Sequence, residues 1–201
     1  MENRRPLRTL GPPAVRLVTP FEYIALLTSI VIAPGITRVL TGLGRILQLR
    51  HGIKVYWVHL LWIGNVFLWL LHNWWILYRW RAFDLWSFFL FLFVLISPVV
   101  AFLLSVLLVP DPLEAGEDLK RHYYRNSRWF FLLAALLPPV DAVDTLLKGQ
   151  AHFAAQGPIY VVTLSLIFVL CLIAAFTKNE IFHGGFSVFF LIYLRHSSRS
   201  T

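Results

Sequence analysis

Residues 85–110 run from Leu85 to Pro110 without a charged side chain, and only Ser87, Ser97 and Ser105 relieve the apolar run. A helix rises 1.5 Å per residue, so about 20 such residues cross ~30 Å of hydrocarbon. Blocks of similar length recur along the 201 residues. The chain is 58% hydrophobic and 14% charged, against roughly 25% charged in ordinary soluble domains. Folded in water, these blocks would leave no polar face to cover the surface. The sequence therefore predicts an all-α polytopic membrane protein.

Six transmembrane helices are expected. The spans are placed at about Phe21–Leu43, Val55–Tyr78, Leu85–Val109, Trp129–Lys148, Pro158–Phe176 and Ile181–Leu194. Thr19-Pro20-Phe21-Glu22 reads as a capping box with proline at the first helical position, a strong helix start. Asp84 is the expected cap of the third span, and Pro98 is expected to kink it. Residues 1–18 read as a basic N-terminal tail, 19–195 as the transmembrane domain and 196–201 as a C-terminal tail. Within the domain, residues 110–128 read as an interfacial loop with a short helix. Trp69, Trp74, Trp75, Tyr78 and Trp80 cluster as aromatic residues do at a membrane–water boundary.

The net charge of +8 would suit a nucleic-acid partner, but the basic residues are spread through the loops. Lipid headgroups explain that distribution better, so the expected partners are the bilayer and a second copy or another membrane protein. Lys and Arg divide almost evenly between the two sides. The four arginines before the first span tilt the expectation toward cytoplasmic termini, in the inner membrane of a bacterium. Cys171, the single cysteine, stands in an apolar block and offers neither a disulfide nor a metal pattern. HExxH, GxSxG, P-loop and GxGxxG motifs are absent, which leaves standard enzymes without a foothold. No cofactor is expected.

The chemistry concentrates where Trp129–Leu137, an apolar run, meets Pro138-Pro139 and then Asp141 and Asp144. Ionised groups in hydrocarbon cost at least a few kcal/mol and persist when they pair or function. Asp141, Asp144, Thr145 and Lys148 fall at i, i+3, i+4 and i+7, on one helix face. They predict a cation or proton site; the plainer alternative is an Asp144–Lys148 pair among headgroups. Arg38 is the basic residue well inside a span, expected to neutralise Asp141 or Asp144 across a contact between spans one and four.

The two halves also align. Pro34–Thr41 matches Pro138–Thr145 at Pro, Val and Thr, and Val55–Val58 and Trp86–Phe89 find counterparts at Ile159–Val162 and Phe186–Phe189. Three spans per half would make this a 3+3 inverted repeat, which places sites on broken helices near the midplane. Pro34-Gly35 is then expected to interrupt span one as the proline pair interrupts span four. Thr37, Thr41 and Thr145 become candidate oxygen ligands. Asn65 and His72, on one face of span two with Trp69, and His59 nearer its start form a secondary candidate pocket. His183-Gly184-Gly185 would line a constriction or loosen a helix start.

Phe67–His72, followed by Leu85–Phe89 and Pro98, resembles the second and third spans of six-helix bacterial and lysosomal potassium channels. Their first span carries a Phe-Ser-Asp signature, and Phe21-Glu22-Tyr23 stands in its place here, so no residue role follows. The function expected from the residues is a small channel or transporter for a cation, proton or small solute. A membrane sensor or accessory subunit is the alternative, and a lipid-modifying enzyme the third.

Overall fold

A computed structural model describes residues 18–82 and 86–197. Most of the expected N-terminal tail, Asp84 and the end of the C-terminal tail lie outside the described residues. Among the described residues eight α-helices follow one another: α1 (Pro20–Gln48), α2 (Trp57–Leu77), α3 (Phe88–Leu108), α4 (Leu119–Ala134), α5 (Leu137–Leu147), α6 (Gln150–Ala155), α7 (Gly157–Phe176) and α8 (Glu180–Ser197), with a 3-10 turn at Tyr78–Ala82. Five helical stretches among the described residues are long and apolar enough to cross a membrane: Pro20–Gln48, Trp57–Arg81, Phe88–Leu108, Leu119–Leu147 and Gly157–Phe176. The protein is an all-α polytopic membrane protein. α8 is helical where a sixth span is expected, but Glu180, His183 and Arg195 leave it outside that group.

Local chemistry explains the helix starts. Glu22 N–H donates to Thr19 Oγ1 at 3.2 Å, and Thr19 N–H donates back to Glu22 Oε2 at 2.9 Å. This closes the expected capping box. α3 starts later than expected, because Ser87 accepts from Leu90 N–H at 3.2 Å and caps it. Asp118 caps α4 by accepting from the backbone N–H groups of Lys120 and Arg121, and the Arg121 bond holds its carboxyl below the usual carboxylate range.

Two expectations need correcting here. The polar stretch before Trp129 is no separate interfacial helix; Leu119–Arg128 forms the first turns of α4 itself. Proline at position 34 does not interrupt span one, since α1 passes through it unbroken. A single missing N–H is tolerated where lipid offers the backbone no alternative partner. Gly35 also lets α1 close on α2, because a Cβ there would sit 3.0 Å from Leu70. At Pro138-Pro139 two successive donors are lost, α4 ends at Ala134, and α5 restarts at Leu137 with the prolines in its first turn.

α1 packs along α3 and α2, α4 and α5 pack on α7, and α8 lies chiefly against α2. The pair matching α1 with α3 in a second repeat would be α4–α5 with α8. The two halves therefore differ both in packing and in their response to proline. At the centre, Trp62 meets Phe130, Phe131 and Phe186 edge-on, with centroids 5.1–5.4 Å apart. Outward, Phe89, Ile159 and Ile181 are at least 78% exposed, an apolar surface that lipid covers. Opposite the start of α1, the interhelix links are knitted by Lys54 N–H to Glu117 O (3.0 Å), Leu119 N–H to Lys54 O (3.1 Å) and Gly116 N–H to Gly52 O (2.7 Å).

Candidate functional site

The helical spacing that groups Asp141, Asp144, Thr145 and Lys148 is realised on α5. Apart from the Asp144–Lys148 pair, their partners come from elsewhere in the chain. Tyr160, in the first turn of α7, donates to Asp141 Oδ2 at 2.9 Å, and its oxygen lies 2.8 Å from Thr145 Oγ1. A phenol has one proton, so the consistent arrangement has Thr145 donating to Tyr160 and Tyr160 donating to the carboxylate. Asp144 accepts from Trp80 Nε1 at 3.0 Å and from Lys148 Nζ. That ammonium also sits 5.1 Å over the Trp80 ring. Asp144 and Lys148 are 16% and 12% exposed, a largely buried pair.

The two acids are thus treated differently. Asp144 is neutralised by Lys148, whereas Asp141 has no basic side chain within ion-pair distance among the described residues. Asp141 walls a cavity of about 50 Å³ shared with Thr28, Trp69, Asn73, Ser97 and Asp144. It also reaches a second, of about 30 Å³, lined by Trp62, Trp69, Cys171 and Tyr193. A cavity of ~10–15 Å³ suffices for one water. Across the larger one, Ser97 Oγ donates to Asn73 Oδ1 at 2.6 Å, and Asn73 Nδ2 donates to Trp69 O at 2.9 Å. The first bond ties α3 to α2; the second, within α2, fixes the Asn73 side chain.

Only part of the residue set expected from sequence meets here. Asp141, Asp144 and Thr145 come together; Arg38, Thr37 and Thr41 do not. Arg38 bonds Asp111 Oδ2 at 3.2 Å and Val109 O at 3.0 Å, at the far end of the bundle. Its charge meets the C-terminus of α3, where the helix dipole favours a cation. Thr37 and Thr41 face outward, Thr37 bonding Ala33 O on its own helix. The buried stripe of α1 is Ile24, Thr28, Ile32, Gly35, Val39, Gly42 and Ile46. The cavity therefore lies among α2, α3 and α5, with α1 contributing Thr28 alone, and Lys148 is the counter-charge in place of Arg38.

The secondary candidates are all buried on α2. His59 Nε2 lies 2.7 Å from Leu108 O, Asn65 Nδ2 donates to Ser187 O at 2.9 Å, and the His72 ring lies 5.6 Å from that of Trp69. His183 is buried between Tyr123 Oη (2.8 Å from Nδ1) and Thr177 O (3.0 Å from Nε2). Of the aromatic cluster, Trp74, Trp75 and Tyr78 are exposed, as a boundary belt requires, but Trp69 and Trp80 are buried. Trp80 and Tyr160 are the site residues that sequence reasoning missed. The available signal was Tyr160's position as the lone phenol of an apolar span, two residues after Pro158.

Among the described residues, no group of three or more His, Cys, Asp or Glu side chains could hold a metal ion. Compared with known proteins, the chain matches no family model, no curated protein and no solved structure.

Proposed function

We propose that this protein is a small membrane transporter or channel whose working group is Asp141, binding a proton or small cation beside the α4–α5 kink. One observation carries the reading: a carboxylate inside an apolar span, without a basic side chain at ion-pair distance among the described residues, lines two neighbouring cavities. A fold that needed only structure there would gain by replacing such a group with an apolar one. The kink supplies the room, because the proline pair parts α4 from α5 just before the acid. Asp144 and Lys148 form the fixed counter-ion pair on the next turn. A homo-oligomer with cytoplasmic termini in an inner membrane is part of the same proposal.

The test is flux into proteoliposomes. Asp141→Asn keeps a carbonyl to accept from Tyr160, so the fold survives while ion- or pH-driven flux falls at least tenfold. Unchanged flux in that variant removes the proposal. A second reading, an accessory subunit, draws on an open groove of roughly 620 Å³ between α2 and α8, lined by Leu68, Leu71, Trp75 and Leu191 among others. It predicts a partner helix that co-purifies from the membrane and wild-type flux of zero.

A further inference from the structure

Four side-chain atoms along one face of α2 are buried without a well-formed hydrogen bond in the protein: His59 Nδ1, Trp62 Nε1 (which approaches the Tyr123 hydroxyl), Asn65 Oδ1 and Trp69 Nε1. Their residues are 0%, 2%, 0% and 7% exposed. The spacing of three, three and four residues keeps them on one side of the helix over about 15 Å. Chemistry fixes what each can do. An indole N–H only donates. His59 Nε2 faces the carbonyl of Leu108, so in the neutral ring that nitrogen carries the proton and Nδ1 accepts. Asn65 Nδ2 faces the carbonyl of Ser187 by the same logic, which leaves Oδ1 as the unmatched acceptor. Along the helix the order is acceptor, donor, acceptor, donor.

Buried polar groups are costly when unmatched, and a row of four in one stripe calls for a common partner. Water both donates and accepts, so single waters between successive members would satisfy all of them. Room for water adjoins the row. Trp62 and Trp69 line the cavity of about 30 Å³ with Asp141, and Trp69 also lines the one of about 50 Å³. Thr28 Oγ1, another buried atom without a partner, belongs to a residue that lines that larger cavity together with Trp69. We infer that a file of water molecules runs along α2 from the Asp141 cavities to His59, and that the cargo of the site is the proton.

This inference rests on the transport reading and narrows it. Donor-only indoles at alternate positions give a metal cation nothing to coordinate, and a 30 Å³ cavity has no room for a hydrated one. A proton needs neither, since it passes by exchange of O–H bonds along the file. It is taken up at the His59 end and hops from water to water. It then forms an O–H bond on the Asp141 carboxylate and is released into the larger cavity. One proton moves and no electrons do. At the far end, His59 lies 5.8 Å from His122 and 6.0 Å from Tyr123, ring to ring, and Tyr123 bonds His183. The groups around Asp141 are Asp144 on α5, Lys148 at its C-cap, Tyr160 on α7 and Arg79 beyond α2, with Tyr193 of α8 on the smaller cavity.

Two measurements on the full chain test it. In proteoliposomes with an internal pH dye and an imposed potential, the wild type acidifies the lumen, and Trp62→Phe and Trp69→Phe slow this at least tenfold. Flux of sodium or potassium that needs Asp141, without proton movement, overturns the proton file and leaves the transport reading standing. Vesicles that stay tight to protons, sodium and potassium alike overturn the transport reading, and the proton inference with it. Radiolytic hydroxyl labelling of the wild type reads the water directly and does not depend on either variant folding. Trp62 and Trp69 label well above Phe131, a core ring with 0% exposure; labelling no higher than that of Phe131 overturns the file.

Discussion

The ion pairs at the two ends of the bundle show how the same chemistry serves opposite purposes. At the end where the links are knitted together, Arg38 meets Asp111 and Lys120 meets Glu180, with the acids 59% and 53% exposed. At the end where α1 begins, Asp144 and Lys148 are buried under Trp80. Exposed pairs are worth about 0–1 kcal/mol and fade with salt. A buried pair contributes little net stability, yet breaking one partner costs several times more. The lesson is that the far end locates helices, while the near end holds charge inside the protein, where water cannot readily compensate for a lost partner.

That contrast breaks most sharply at Lys148. Lys148→Met leaves the Asp144 carboxyl buried with only the Trp80 indole as side-chain partner, and should cost about 3–5 kcal/mol. Thermal unfolding in detergent measures it, and Asp144→Asn combined with Lys148→Met should recover most of the loss. A loss no larger than that of a surface pair would erase the distinction between the two ends.

The far end should respond to shape instead. A Cβ at Gly42 would fall 2.3 Å from Val109 Cγ1, a buried side chain at the end of α3. Gly42→Ala should therefore cost about 1–3 kcal/mol from overpacking, less the ~1 kcal/mol that alanine returns to a helix. Val109→Ala in the same chain should relieve the clash, and a double-mutant cycle reads that coupling. Smallest of the three is Asp111→Asn, which should change stability by about 0.2–1 kcal/mol and by less still in high salt.

Sequence periodicity carried much of this arrangement. The long apolar blocks located the helices, and the i, i+3, i+4, i+7 spacing placed Asp141, Asp144, Thr145 and Lys148 together, because both signals are local. Arg38 failed for a non-local reason: its partner depends on α1 packing along α3 instead of α5, and no pattern within α1 encodes that choice. Trp80 and Tyr160 were hidden by composition. In a chain that is 16% aromatic, a buried indole or phenol that bonds a carboxylate looks the same as one that anchors the membrane boundary. Proline was ambiguous alone and clear in a pair, since α1 absorbs one missing donor and the α4–α5 span cannot absorb two in succession.

The account turns on Asp141 being a carboxyl reached from within the bilayer and needed for flux. An apolar carbodiimide, which couples to carboxylic acids in apolar surroundings, tests this in one labelled and assayed sample. The account predicts modification at Asp141, found by peptide mass, with flux lost in proportion to the label. Modification confined to the exposed Asp111 and Glu180, or full flux from protein labelled at Asp141, would contradict it.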